Sequence, residues 1–194
     1  MALTRRIYQF LGIAAPVFLA AAPASSEPVE WRIDQVGSEI RFDYQLWGDP
    51  RTGTFRRFGG RARLDPDDPA KADLVLRIAS RSVDLGSRLY SSLATSSEWF
   101  NAKQHPQVVY RLQSLAPMED GGYWSIGTVT IRGVTRRVET EMTLLTTANH
   151  FTASGTLTLD RRPFGLGVGI GEIFVDVADE VAVSFVVLAR REGG

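Results

Sequence analysis

The sequence contains no cysteine in 194 residues. That excludes disulfide staples, thiol nucleophiles and cysteine-ligated metal centres, and leaves the fold to be held by its core alone. Histidine is scarce, with only His105 and His150, and so is lysine, with only Lys71 and Lys103. Neither charge is in excess, since 22 basic residues stand against 22 acidic ones. A neutral chain carries no signature of nucleic-acid binding.

What is present begins with a leader. Arg5 and Arg6 precede an apolar run, IYQFLGIAAPVFLAAA, which is short for a membrane span and contains Pro16. Ala22-Pro23-Ala24 has the small-residue spacing of a cleavage site. Together these read as a secretory signal peptide over residues 1–24, and place the protein in the periplasm. The mature chain, 25–194, has the length of one domain with a full core.

The mature region reads as strands almost throughout. In SEIRFDYQL, Ile40, Phe42, Tyr44 and Leu46 fall on one face, and Glu39, Arg41, Asp43 and Gln45 on the other. Such alternation marks a strand with one buried and one wet face. The pattern recurs at 54–64, 72–80, 107–115, 122–132, 137–145, 150–160 and 180–190, with a short addition at 30–34. Residues 47–53, 65–69, 118–122 and 132–135 are rich in Gly, Pro or Asp and read as turns. Within 83–105, Leu85, Leu89 and Leu93 have the spacing of a short helix, placed before the fourth strand. Eight antiparallel strands joined mostly by tight turns predict an all-β, up-and-down barrel. A two-sheet sandwich shows the same alternation. So does an outer-membrane barrel with its apolar face toward lipid, although mid-strand charges such as Arg77 and the lack of aromatic girdles oppose it.

Catalytic constellations are thin. Each histidine lacks a defined carboxylate partner in sequence and reads as solvated, so a hydrolytic enzyme using His105 or His150 rests on residue type alone. The serines at 91, 92, 96 and 97 form no nucleophile elbow. Asp176, Asp179 and Glu180 fit no calcium loop and read as a solvated turn. GLGVGIG at 165–171 has glycine at every second position but is no dinucleotide fingerprint. It reads either as a flexible loop at the barrel rim or as a place where a ligand or the facing sheet comes close. No cofactor and no metal are expected.

Six segments, in order, carry a family likeness: WRIDQVGSEIRF, GTFRRFGG, EWFNAKQHPQVVY, GTVTIRGVTRRV, LDRRPFGLG and VADEVAVSFVVLA. With them the chain resembles the YceI-like family of exported lipid-binding proteins. The resemblance implies an extended lipocalin-like barrel holding a polyisoprenoid or similar amphiphile. The segment around Trp99 and Phe100 is most similar to members associated with membrane b-type cytochromes, which implies a quinone-like ligand and such a cytochrome as partner. Two departures stand out: Gly37 replaces a usual histidine, and SRLYSSLATSS lacks a usual Arg-Asp pair. Both are expected at the head-group end.

The expected lining follows the apolar phase of the strands: Phe42, Tyr44, Leu46, Phe58, Leu76, Tyr110 and Phe185. Trp99, Phe100 and Phe164 are expected at the cavity ends, on the two long connections. Arg161 and Arg162 are expected either to hold a polar head group or to be solvated at the rim. A filled barrel with a structural or stress-related role is the alternative to a ligand carrier.

Overall fold

The computed structural model describes residues 29–65, 68–169 and 175–192. The expected leader, residues 1–24, lies outside them. Eleven strands form: β1 Val29–Ile33, β2 Glu39–Leu46, β3 Asp49–Phe55, β4 Phe58–Leu64, β5 Asp73–Ala79, β6 Val83–Asp84, β7 Gln107–Pro117, β8 Tyr123–Ile131, β9 Val134–Thr146, β10 His150–Asp160 and β11 Glu180–Arg191. One short α-helix, α1, spans Arg88–Ala94. All strand pairs are antiparallel, and the order β1-β4-β5-β7-β8-β9-β10-β11 closes through β11 back onto β1.

Thus eight strands make the closed barrel, and β2, β3 and β6 extend it. β2 continues β1 past a bend at 34–38, β3 leads into β4, and β6 continues β5 beyond a 3₁₀ turn at Ser80–Ser82. β11 holds both halves of the first long strand, pairing Ala189–Arg191 with β1 and Ala182–Val186 with β2. The sandwich is excluded by this closure. Apolar side chains such as Ile40, Leu76, Val108 and Val187 pack inside, and the arginines of β4 and β5 point outward. That is the reverse of a lipid-facing barrel.

Three differences from the sequence reading have physical causes. Residues 49–53 form a strand, not part of a turn, so the turn shrinks to Trp47-Gly48, both at positive φ. Pro50 is tolerated because at that position β3 pairs on one side only, with Gln45. The expected single strand 54–64 is broken at Arg56-Arg57, where the backbone turns to bond Ser82 and Ala79 instead of a straight ladder. The break shifts the inward phase from odd residues in β3 to even residues in β4. Phe55 therefore faces inward as well as Phe58.

The two ends of the barrel differ. At the end bearing the N-terminus of β1, Trp31 and Phe151 meet edge to face with centroids 5.3 Å apart, both 2 % exposed, and plug it. The other end carries the two long connections, 85–106 and 161–179. On that side β9 and β10 part company beyond Met142 and Gly155. Thr140 spans the start of the gap, donating its hydroxyl to the Thr156 carbonyl at 2.7 Å.

Candidate functional site

Between the plug and the long connections lies an elongated cavity of about 250 Å³. Its wall is hydrocarbon almost throughout. Phe42, Tyr44, Leu46, Leu76, Tyr110 and Phe185 line it from the strands, and Trp99, Phe100 and Phe164 from the two connections. Phe58 is buried in the same core, 9 % exposed, but is not part of this wall. The wall also includes Phe55, Met142, Leu157 and Leu159. Phe55 escaped the period-two reading because of the phase break; the other three belong to strands whose alternation already pointed inward.

The space exists because three rings lie along the wall instead of across it. Each covers an inward-facing glycine. Phe42 lies over Gly53, Tyr110 over Gly127 and Phe185 over Gly155, so close that a methyl group on any of the three would fall within 3 Å of a ring atom. An aromatic folded onto a cross-strand glycine gains contact area while leaving the lumen free. Phe42 then meets Phe55 at a 44° tilt with centroids 5.4 Å apart, and Phe55 meets Phe100 edge to face at 5.7 Å, which carries the aromatic wall up to the mouth.

The mouth is covered by both connections, fastened to each other. After α1, Trp99 packs into the place a side chain on Gly167 would occupy, its nearest ring atom 2.5 Å from that position. Gly167 has φ +63, a left-handed conformation that glycine adopts without strain, and its N–H donates to the Glu98 carbonyl at 2.8 Å. What comes close to Gly167 is thus a ring from the other connection, neither a ligand nor the facing sheet; Ile170 and Gly171 lie outside the described residues. Arg132, at the tip of the β8–β9 hairpin, adds three more bonds. Its guanidinium donates to the carbonyls of Gly165, Glu98 and Ser97.

Arg161 differs from both expectations. It is 6 % exposed and neither solvated nor free for a ligand. It donates to the carbonyls of Leu166 at 2.7 Å, Val177 at 2.8 Å and Ala178 at 3.1 Å, and pairs with Asp179 at 3.0 Å. Its guanidinium also sits 5.8 Å from the Trp99 ring centre. A buried charge is tolerable only with such full pairing. Arg162 also pairs with Asp179, at 2.7 Å. Gly37 corrects another expectation. It lies exposed on the bend between β1 and β2, against Leu188, and not in the cavity wall.

Polar atoms near the cavity are few. The Tyr110 hydroxyl is committed to Ser125 at 2.9 Å, and burial raises its phenol above the ordinary value, with that hydrogen bond opposing. Tyr44 and Tyr90 face each other's fields near the mouth, and their hydroxyls have no protein partner among the described residues. Burial raises the Tyr44 phenol, with Arg51 opposing and Tyr90 adding. The Tyr44 phenol therefore stays neutral near pH 7, and either hydroxyl can donate or accept a hydrogen bond. Neither histidine belongs to the wall. His150 bonds the Thr147 hydroxyl at 3.1 Å, and His105 packs beside Gly133. Among the described residues no group of three metal-ligating side chains gathers.

The family model of the YceI-like domain matches residues 31–189 of the chain. The chain belongs to the YceI-like family. Among YceI-like relatives, the UPF0312 protein of Serratia proteamaculans is 28 % identical over 179 residues, covering 86 % of this chain and 91 % of its own. The crystal structure of Burkholderia cenocepacia BcnA superposes with a TM-score of 0.75 at 28 % identity, covering 80 % of this chain and 98 % of that one. A polyisoprenoid binding domain from Saccharophagus degradans, implicated in plant cell wall breakdown, has a TM-score of 0.68 at 15 % identity, over 85 % and 99 % of the chains. At that identity the likeness speaks for the fold. The YceI-like barrel, expected from six short segments, is thereby shown for the whole of them.

Proposed function

We propose that the chain is an exported, single-domain binding protein for a long apolar amphiphile, a polyisoprenoid or isoprenoid quinone, taken up tail first into the barrel. The observation that carries this reading is the paved cavity: apolar along its length, with the Tyr44 and Tyr90 hydroxyls, which have no protein partner among the described residues, toward the mouth. A filled structural barrel has no use for inward glycines that draw rings out of its lumen. The family supports a lipid-binding role, and the Saccharophagus domain is a polyisoprenoid binder on the same fold.

Energetics favour a carrier that releases its cargo. Burial removes each methylene from water at a gain of roughly 0.8 kcal/mol, but a bilayer offers the same gain. Exchange between membrane and cavity is then close to balanced, and the mouth contacts decide it. At about 250 Å³ the cavity lies just below the ~300–1,000 Å³ usual for small-molecule sites. A long tail therefore needs Trp99 and Phe100 to swing aside, so the fastening of Trp99 to Gly167 acts as the door. In this reading Tyr44 and Tyr90 meet an uncharged, oxygen-bearing head group such as a quinone ring, and a membrane b-type cytochrome is the partner to test. The acid and base at the wall, Asp160 and Arg161, are both committed to protein partners, Asp160 accepting the Arg162 N–H and Arg161 bound to carbonyls and Asp179, and the role requires no chemistry.

The test is native mass spectrometry of the mature protein purified from its own host, paired with solvent extraction. A co-purifying isoprenoid, displaced stoichiometrically by added ubiquinone, is the expected result. An empty protein that binds neither polyprenols nor quinones overturns the reading.

A further inference from the structure

The outer wall of the barrel carries charge that its near-neutral composition conceals. Arg57 precedes β4, Arg61 lies within it, Arg77 lies on β5 and Arg111 on β7; all four are exposed. The register brings them together. Gly59 faces Arg77 across the β4–β5 ladder, Arg61 faces Val75, and Val75 faces Arg111. Arg77 is therefore flanked diagonally by Arg61 and Arg111 on the same outward phase. Arg57 stands one step along, where its carbonyl receives the Ala79 N–H. From strand spacings of ~4.8 Å and rises of ~3.3 Å per residue, the four occupy about 13 Å by 10 Å.

Two features set this patch apart from an ordinary solvated face. First, none of the four has a carboxylate partner among the described residues, while their neighbours do: Arg32 pairs with Glu192, Arg63 with Glu30 and Arg190 with Asp34. Like charges are even set directly opposite, Arg61 against Arg32, a pairing that weakens a sheet. Second, the residues between the arginines are small: Gly59, Val75 and Ala79. A Cβ on Gly59 would meet nothing within 4 Å, and Arg57, Arg61 and Arg77 line a shallow, open groove that Glu30 and Asp73 also border, with Arg111 beside it.

We infer that this face docks the protein on an anionic phospholipid bilayer. Guanidinium groups bind phosphate oxygens bidentately, and four spread over ~10 Å match the spaced phosphates of a headgroup plane. The end of the patch borders Gln107, which follows directly on the connection covering the mouth. Docking there sets the flank of the mouth against the headgroups. The inference stands apart from the cavity reading, because an empty barrel would dock equally well.

The experiment is co-sedimentation of the mature protein with vesicles of phosphatidylcholine, with and without 30 % phosphatidylglycerol, from low to physiological salt. The wild type should partition onto the anionic vesicles only, and less as salt rises. Each arginine changed to glutamine in the series Arg57, Arg61, Arg77, Arg111 should reduce partitioning about fivefold. The control removes four arginines elsewhere, Arg41, Arg51, Arg81 and Arg137, so that net charge is equal; it should bind like the wild type. Circular dichroism melts confirm that both variants fold, and lipid extraction reports the cavity separately. Equal loss in the control, binding independent of phosphatidylglycerol, or tighter patch-dependent binding to soluble polyglutamate than to vesicles overturns the inference.

Discussion

At the scale of single residues, glycine sets the size of the cavity. The atoms nearest a methyl group at Gly53 would be side-chain atoms, of the Phe42 ring and Leu85. Gly53→Ala should therefore fold, push Phe42 into the lumen and reduce isoprenoid binding at least tenfold, as read by extraction and titration. Gly155→Ala is a different case, because the methyl would also lie 2.8 Å from the Glu141 carbonyl oxygen, which belongs to the backbone. It should cost roughly 1–3 kcal/mol of stability, measured by urea unfolding. Tyr110 adds a pH dependence. Its phenol is raised on folding by burial, so the neutral form that it contributes to stability is intact below about pH 10 and is lost as pH climbs past that value. Tyr110→Phe leaves Ser125, 1 % exposed, without its partner, and should cost about 1–2 kcal/mol at pH 8 while flattening the alkaline loss of stability. An alkaline limb unchanged in the variant would show that the burial of Tyr110 is not its cause.

At the scale of elements, the barrel is tight along most ladders and loose at one end. Arg132 holds both mouth connections from a turn where its own φ is +51. Asn tolerates that conformation, so Arg132→Asn keeps the hairpin and removes the tie. Exchange of the Gly167 amide and release of bound lipid should both accelerate, on the order of tenfold for the loss of about 1.4 kcal/mol. The separation of β9 from β10 past Gly155 makes a second statement. Amides of β9 between Arg136 and Thr140 that point toward β10 should exchange faster than those bonded to β8, by hydrogen-exchange NMR. The strand alternation made most of these elements legible in sequence. The β2–β3 hairpin was less so, because Pro50 and Gly53 look like turn residues until the one-sided pairing of β3 is known. Arg161 misled for a related reason: an arginine near Phe164 on a long connection reads as rim, and only the return of Val177 and Ala178 beside it supplies the carbonyls that bury it.

At the scale of the molecule, the structure is a sleeve closed by its last strand and plugged at one end by Trp31 and Phe151. A ligand that enters such a sleeve binds the folded state alone. At a free concentration a hundred times its dissociation constant it should add about 2.7 kcal/mol of stability. For a domain of this size that raises the melting temperature by roughly 5–10 °C. Delipidated protein reloaded with a polyprenol or ubiquinone should show the shift in calorimetry. A linear alcohol too short to reach past the mouth should give a much smaller one.

The chain by itself determined the period of its strands, and hence that Phe42, Tyr44 and Leu46 share one face and Arg41, Asp43 and Gln45 the other. That information is local: in an extended backbone successive side chains must point opposite ways. It determined the family likewise, because short motifs at ordered spacing need no partners to be read. The tertiary structure alone decided that Phe55 and Phe58 both turn inward, that glycines on one strand make room for rings on the next, and that four arginines from neighbouring strands gather on one wall. Each depends on which residues stand opposite one another across a ladder, and register is set by closure of the whole barrel, not by any one strand.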